Sequence, residues 1–217
     1  MKHRSRLMSL VLILAGVSAA GGAAAQNRLF RPGTVALGGG GNLGVITGKG
    51  RYGFDFNGGQ GYNITIKYTV ARSVALGVNF QNLSYDWVAS DCFDDVAPED
   101  CPRYRNLVMT TFEGQAYLYR NRRSDAPQYF MLGIGVYRPE LRVDDTSTVF
   151  PEANLMLSTG LGAEVFLREN WALDLGVRAV GFVGNGIADQ EAFLVRGGDN
   201  ISFGLHAQAG ILYFITQ

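Results

Sequence analysis

Apolar and polar residues alternate one by one along most of this chain. Tyr62, Ile64, Ile66, Tyr68 and Val70 interleave with Asn63, Thr65, Lys67 and Thr69. Phe112, Gly114, Ala116 and Leu118 interleave with Glu113, Gln115 and Tyr117. Leu155, Leu157, Leu161, Val165 and Leu167 alternate with residues that include Ser158, Gly160, Gly162 and Glu164. Trp171, Leu173, Leu175 and Val177 alternate with Asp174, Gly176 and Arg178. Near the C-terminus Phe203, Leu205, Ala207, Ala209, Ile211 and Tyr213 alternate with Gly204, His206, Gln208 and Gly210. A period of two belongs to β-strands whose two faces meet different surroundings. No segment after residue 25 keeps a helical period.

With Thr34–Val45 and the runs beginning near Val74 and Phe130, the pattern predicts eight strands. Most reach about 10 residues, longer than the common globular strand and long enough to cross a bilayer at a tilt. The connections alternate in length: roughly 46–60, 71–73, 87–105, 120–127, 138–153, 168–170 and 184–199. Long and short connections alternate in this way in membrane barrels, with short turns on the periplasmic side. The less apolar face separates the two kinds of barrel. It carries Gly, Ser, Thr, Asn, Gln, Tyr and five charges, a costly set to bury in a soluble core. A soluble lipocalin-like barrel is the competing reading, and the helix it would need has no counterpart. The fold expected is all-β, an eight-stranded antiparallel up-and-down transmembrane β-barrel with its apolar face toward lipid.

The first 25 residues read as an address. Lys2, Arg4 and Arg6 precede an apolar core, Leu7–Val17, and small residues lead to Ala25. This is the pattern of a secretory signal peptide, so residues 26–217 are expected to form the barrel domain. The apolar core is too short for a transmembrane helix. Removing the peptide leaves 16 basic and 19 acidic residues, a net charge of −3 in place of zero. That charge divides by compartment: −7 in the long loops with the adjoining Asp86, +5 in the turns and N-terminal tail, and −1 in the rest of the strands. The balance offers no basic surface for nucleic acid. Strict alternation of an apolar and a polar face accounts for a mean hydropathy of only +0.05 in a chain that is 47% apolar.

The signal segment, eight alternating strands, short turns, long loops and the last strand SFGLHAQAGILYF resemble the small outer-membrane β-barrel proteins of diderm bacteria. That group includes OmpA-type transmembrane domains, OmpX/Ail and OmpW, and the resemblance covers about residues 30–217. It implies the bacterial outer membrane as location, with lipid and lipopolysaccharide around the barrel. It also implies delivery by periplasmic chaperones and the barrel assembly machinery, and a monomer. In the family the last strand usually ends on Phe; here Phe214 is followed by Ile215, Thr216 and Gln217. Either Tyr213 or Phe214 would face lipid. No segment follows the barrel, so the peptidoglycan-binding role of OmpA is not expected.

The inward charges are the candidate functional residues. Counting from the short turns, Glu164 and Asp174 lie low on adjacent strands with Lys67 at similar depth, and Glu113, Arg178 and His206 lie nearer mid-height. Like charges side by side need a compensating cation or a shared proton. The expectation is a satisfied ion network that plugs the barrel; the sharper alternative is a gate or narrow path. Cys92 and Cys101 enclose FDDVAPED and are expected to form a disulfide across an external loop, which would contribute roughly 2–3 kcal/mol.

Other motifs tempt less. Gly39–Gly44 matches GxGxxG, but no helix follows and no acid stands where a dinucleotide site needs one. Acidic residues between Asp91 and Asp100 could hold Ca²⁺, but without EF-hand spacing a solvated loop is expected. His206 with Ser202 and an acid, Glu113 or Asp174, suggests a lipid A-modifying enzyme; a packed interior histidine is the plainer reading. The Asn-X-Ser/Thr triplets at Asn63, Asn82 and Asn200 lie in or beside strands and read as chance. No cofactor or metal is expected. The function expected is non-enzymatic: a surface protein of the outer membrane supporting envelope integrity, with loops able to meet partners. The alternative is a passive channel for small or apolar solutes.

Overall fold

The structure, a computed structural model, describes residues 31–47, 56–87, 104–120, 126–143, 146–149, 153–183 and 201–215. The signal segment, Cys92 and Cys101, and the acidic residues 91–100 lie outside these. Among the described residues every regular element is a strand. They are β1 (Val35–Thr47), β2 (Phe56–Ala71), β3 (Val74–Trp87), β4 (Tyr104–Arg120), β5 (Gln128–Val143), β6 (Thr146–Val149), β7 (Asn154–Arg168), β8 (Trp171–Val183) and β9 (Ile201–Ile215).

All pairings are antiparallel. The sheet runs β4-β3-β2-β1-β9-β8-β7-β5, and β4 pairs with β5 to close it. Eight strands therefore form the barrel. The ladder fixes its shape. Starting at Leu37, the partners in turn are Ile66, Val78, Gly114, Ile134, Leu157, Gly181 and Phe203. Phe203 pairs with Thr47, ten residues along β1 from the starting point. A shear of ten over eight strands gives a tilt of about 40° and a radius of about 8 Å at standard strand spacings. That interior is narrow enough for side chains to fill.

Alternation is read out as inside and outside. On β9, Phe203, Leu205, Ile211 and Tyr213 are exposed, while Ser202, His206, Leu212 and Phe214 are buried. On β2, Tyr62, Ile64, Ile66 and Tyr68 are exposed, and Asn63, Thr65 and Lys67 are buried. The exposed apolar residues run around the whole barrel, far beyond the patch a water-soluble monomer tolerates. The apolar face is the outer face, and its solvent is lipid. Trp171 packs at a tilt against Tyr213, 4.8 Å between ring centroids, near the end with the short turns, where an aromatic girdle belongs. Phe214 points inward, so Tyr213 is the lipid-facing member of that pair.

One expected loop is mostly strand. Residues 138–153 lose the apolar alternation, yet β5 continues to Val143 and turns back as β6, with Glu140 opposite Val149. The reason is height. Beyond the lipid belt the outward residues Arg138, Glu140 and Arg142 are polar, so periodicity disappears while hairpin pairing persists. Pro139, which has no N–H to give, stands where β5 changes partner from β7 to β6.

Candidate functional site

The ordered chemistry lies inside the barrel, in layers. Register and tilt bring residues from distant strands to common depths. Nearest the short turns is an apolar floor of Ala36, Ala172, Leu212 and Phe214, with Phe166 against it. Phe166 and Phe214 meet at 5.3 Å between ring centroids.

Above the floor stands the first charged layer. The two-residue turn Glu169-Asn170 joins β7 to β8 and sets Glu164 directly opposite Asp174. Two carboxylates side by side need a cation between them, and Lys67 supplies it from across the barrel. Its Nζ is 2.9 Å from Glu164 Oε1 and 3.1 Å from Asp174 Oδ2. The Tyr119 hydroxyl donates to Glu164 Oε1 at 2.5 Å, and the Tyr129 hydroxyl donates to Asp174 Oδ1 at 2.7 Å. The same ammonium lies over the Tyr117 and Tyr129 rings, at 4.4 and 4.8 Å from their centroids. A buried ion group holds best when its remaining lone pairs are met; the tyrosines add one donor to each acid, while Glu164 Oε2 has no partner.

The second charged layer sits near mid-height. Arg178 Nη1 donates to Glu113 Oε2 at 2.8 Å, and Gln115 Nε2 donates to the same oxygen at 2.7 Å. Ser158 donates to Glu113 Oε1, and Tyr117 donates to Gln115 Oε1. Glu113 is fully buried. Its carboxylate fits because residue 133 is glycine: a Cβ there would collide with Glu113 Oε1 and Ser158 Oγ. Gly162 leaves the same kind of space for the Tyr129 ring below.

His206 neighbours Arg178 across the ladder between β8 and β9. Its Nε2 is 2.8 Å from the Tyr85 hydroxyl and its Nδ1 is 3.3 Å from the Gln81 amide nitrogen. Above it an apolar layer spans the barrel: Ile46, Leu83, Tyr85, Leu107, Met109, Tyr137, Met156, Val180 and Phe182. Tyr137 and Phe182 pack edge to face at 5.0 Å.

Of the residues named from sequence, the structure joins Lys67, Glu164 and Asp174 in one group and Glu113 with Arg178 in another. His206 belongs to neither ion group. Both acids that could have served it in an enzyme-like triad are committed elsewhere, Glu113 to Arg178 and Asp174 to Lys67. The glycine-rich stretch Gly38–Gly41 lies within strand β1 and opens no helix. Sequence reasoning missed Tyr117, Tyr119, Tyr129 and Gln115 as parts of the network, although their parity along β4 and β5 already put them inside. Asn63, another weighed motif, is a buried inward residue of β2.

The family profile described as outer membrane protein beta-barrel domain matches residues 9–216. The chain belongs to that family. Its place is the bacterial outer membrane, and the family accounts for the inverted barrel described above. Solved structures share the fold at low identity. Neisserial surface protein A is 13% identical, with 84% of this chain and 97% of that chain covered at a TM-score of 0.55. Ail, the attachment invasion locus protein of Yersinia pestis, is 12% identical, with coverages of 85% and 100% and a TM-score of 0.51. The outer membrane protein OprG of Pseudomonas aeruginosa is 13% identical, with coverages of 88% and 99% and a TM-score of 0.51. No curated protein matches the chain. At these identities the likeness is one of fold; function is argued from the interior.

Proposed function

We propose that this chain is a closed, non-enzymatic outer-membrane barrel that supports envelope integrity and presents its outer loops to partners. One observation carries the reading: the interior is filled from floor to upper rim by apolar and ionic layers that bond across the lumen. Lys67 ties β2 to β7 and β8, and Arg178 ties β8 to β4. Such cross-links brace the wall, and side chains occupy the space an aqueous channel would need.

The test is electrical and cellular. In planar bilayers the purified barrel is expected to show no steady conductance of porin size. A deletion strain is expected to become more sensitive to detergents and large hydrophobic antibiotics, with uptake of small nutrients unchanged. Stable nanosiemens channels from the wild-type barrel would sink this reading in favour of the passive channel. A change in lipid A mass on expression, abolished by His206→Ala, would favour the enzyme.

A further inference from the structure

The lipid-facing band is not equally tall all round the barrel. On β3 the outward apolar residues run from Val74 to Phe80, on β4 from Leu118 to Phe112 and on β5 from Phe130 to Val136, six residues in each case. On β7 they run from Leu167 to Leu155 and on β8 from Trp171 to Val183, twelve residues each, with Thr159 the one hydroxyl among them. On β9 they run from Ile215 to Ile201, fourteen residues. At a tilt of about 40° each residue climbs about 2.5 Å along the barrel axis. The band is therefore about 15 Å tall on β3 to β5 and about 30–35 Å on β7 to β9. Barrels of this kind carry a band of about 25 Å.

Polarity, not the end of a strand, stops the short wall. The next outward residues on the loop side are Asn82 on β3, Thr110 on β4 and Arg138 on β5, which form one row of the ladder. Asn82 gives its amide to Thr110 at 2.9 Å, and further up Asn106 gives its amide to Ser84 at 3.0 Å. Val108, between those rows, is buried. On the turn side Arg120 and Gln128 stand opposite each other and are both exposed. Guanidinium and amide groups are costly in hydrocarbon, so these rows mark where headgroups begin. On the far wall the uppermost row is Leu155, Val183 and Ile201, apolar throughout.

Leaning the barrel cannot level this band. A lean raises one wall and lowers the other, and it leaves their heights unequal. Here the tall wall overshoots at both ends. Each step around the ladder climbs about one and a quarter residues, the shear divided among the strands. With that climb allowed for, Ile215 on β9 lies about three residues below Leu118 on β4, and Ile201 lies about five above Phe112. These two strands stand on opposite sides of the barrel. A bilayer of uniform thickness would either bury the polar rows of the short wall or leave the apolar ends of the tall wall in water. A bilayer that changes thickness from one wall to the other avoids both.

We propose that the outer wall sorts the surrounding lipid by chain length. Short-chain lipid gathers against β3 to β5, where Asn82, Thr110, Arg138 and Arg120 meet headgroups drawn toward the bilayer centre. Long-chain lipid gathers against β7 to β9. The membrane is pinched beside β4 and full beside β9. Lipid sorting belongs to the outer face alone, so it stands whether or not the lumen conducts.

The experiment uses the full barrel refolded in vesicles, with Trp87→Phe and Trp171→Phe to remove the native fluorescence. One reporter, Leu132→Trp, is placed on β5 and the other, Val177→Trp, on β8. Both positions are exposed, and their depths agree to within about one residue. Ile134→Trp replaces the first if that variant folds poorly. The vesicles are equimolar in dilauroyl phosphatidylcholine and dioleoyl phosphatidylcholine brominated on its chains. Bromine quenches tryptophan on contact, so the loss of fluorescence reads the share of long-chain lipid beside each reporter. Shares are taken relative to vesicles of plain and brominated dioleoyl lipid, where chain length is constant. The β8 reporter is expected to see at least about twofold more long-chain lipid than the β5 reporter. Equal shares, or a larger share at β5, overturn lipid sorting. Raising the short wall with Asn82→Leu, Thr110→Leu and Arg138→Leu is expected to bring the β5 share up to the β8 share. A β5 share that does not move overturns it as well. Thr110→Val with Arg138→Met is the milder version, and heat-shifted gel mobility confirms the fold of each variant. Wild-type conductance in bilayers would overturn the closed-barrel reading alone, so the two failures are distinguishable.

Discussion

The two charged layers of the interior solve the same problem differently. In the lower one a single ammonium, Lys67, serves two carboxylates that the β7–β8 turn forces into opposition. In the upper one a single guanidinium, Arg178, serves one carboxylate that neutral groups also hold, Ser158 and Gln115. Neutral hydroxyls also hold the lower acids, Tyr119 on Glu164 and Tyr129 on Asp174, so the difference is one cation for two carboxylates below and one for one above. In a low-dielectric interior the cost of losing a partner is set by what remains unpaired, not by the strength of the lost contact.

That contrast orders the expected effects of substitution. Lys67→Met leaves two carboxylates facing each other and should have the largest effect. Urea titration of the barrel in vesicles should show a loss of about 3–5 kcal/mol, the cost of breaking a buried ion group. Adding Glu164→Gln and Asp174→Asn to that variant should recover most of the loss, because no charge then lacks a partner. If the triple variant is no more stable than the single one, the lower layer is not an electrostatic unit.

Arg178→Met should cost less, about 2–3 kcal/mol, since it strands one carboxylate instead of two opposed ones, with Ser158 and Gln115 still donating to Glu113. An equal or larger loss than for Lys67→Met would remove the distinction between the layers. Gly133→Ala tests the same site through space instead of charge. Its methyl group meets Glu113 and Ser158, so about 1–3 kcal/mol of overpacking is expected. The same titration should show little change for Gly114→Ala, whose added carbon meets only Ile134 O at 3.8 Å. The smallest effect belongs to Tyr85→Phe, which removes one hydroxyl from His206 and should cost about 1 kcal/mol.

Much of this was legible in the chain. Parity along β2, β4, β7, β8 and β9 put Lys67, Glu113, Glu164, Asp174, Arg178 and His206 on the inner face. The short β7–β8 turn placed Glu164 and Asp174 at one depth. The tyrosines escaped notice because parity puts Tyr117 and Tyr129 on the inner face without showing what they meet, whereas the Tyr129 hydroxyl and both rings complete the Lys67 site. The extension of β5 and β6 also escaped, because strands that rise beyond lipid no longer alternate in hydropathy. The acids weighed with His206 are paired with cations instead, Glu113 with Arg178 and Asp174 with Lys67, which parity along the strands does not reveal.

What the sequence determined by itself is the sidedness of every strand. A period of two assigns each residue to lipid or lumen, and local turns fix the register of neighbouring strands. What only the tertiary structure decided is which lumen residues meet across the barrel. Lys67 reaches Glu164 over a separation of 97 residues and Asp174 over 107. Those meetings depend on the shear of ten, which is a property of closure and of no single hairpin. Shift it by two residues, and every strand keeps its faces while Lys67 and Arg178 move to other depths and lose their acids. Alternation is a local consequence of the pleat; depth around a closed barrel is a sum over all eight registers.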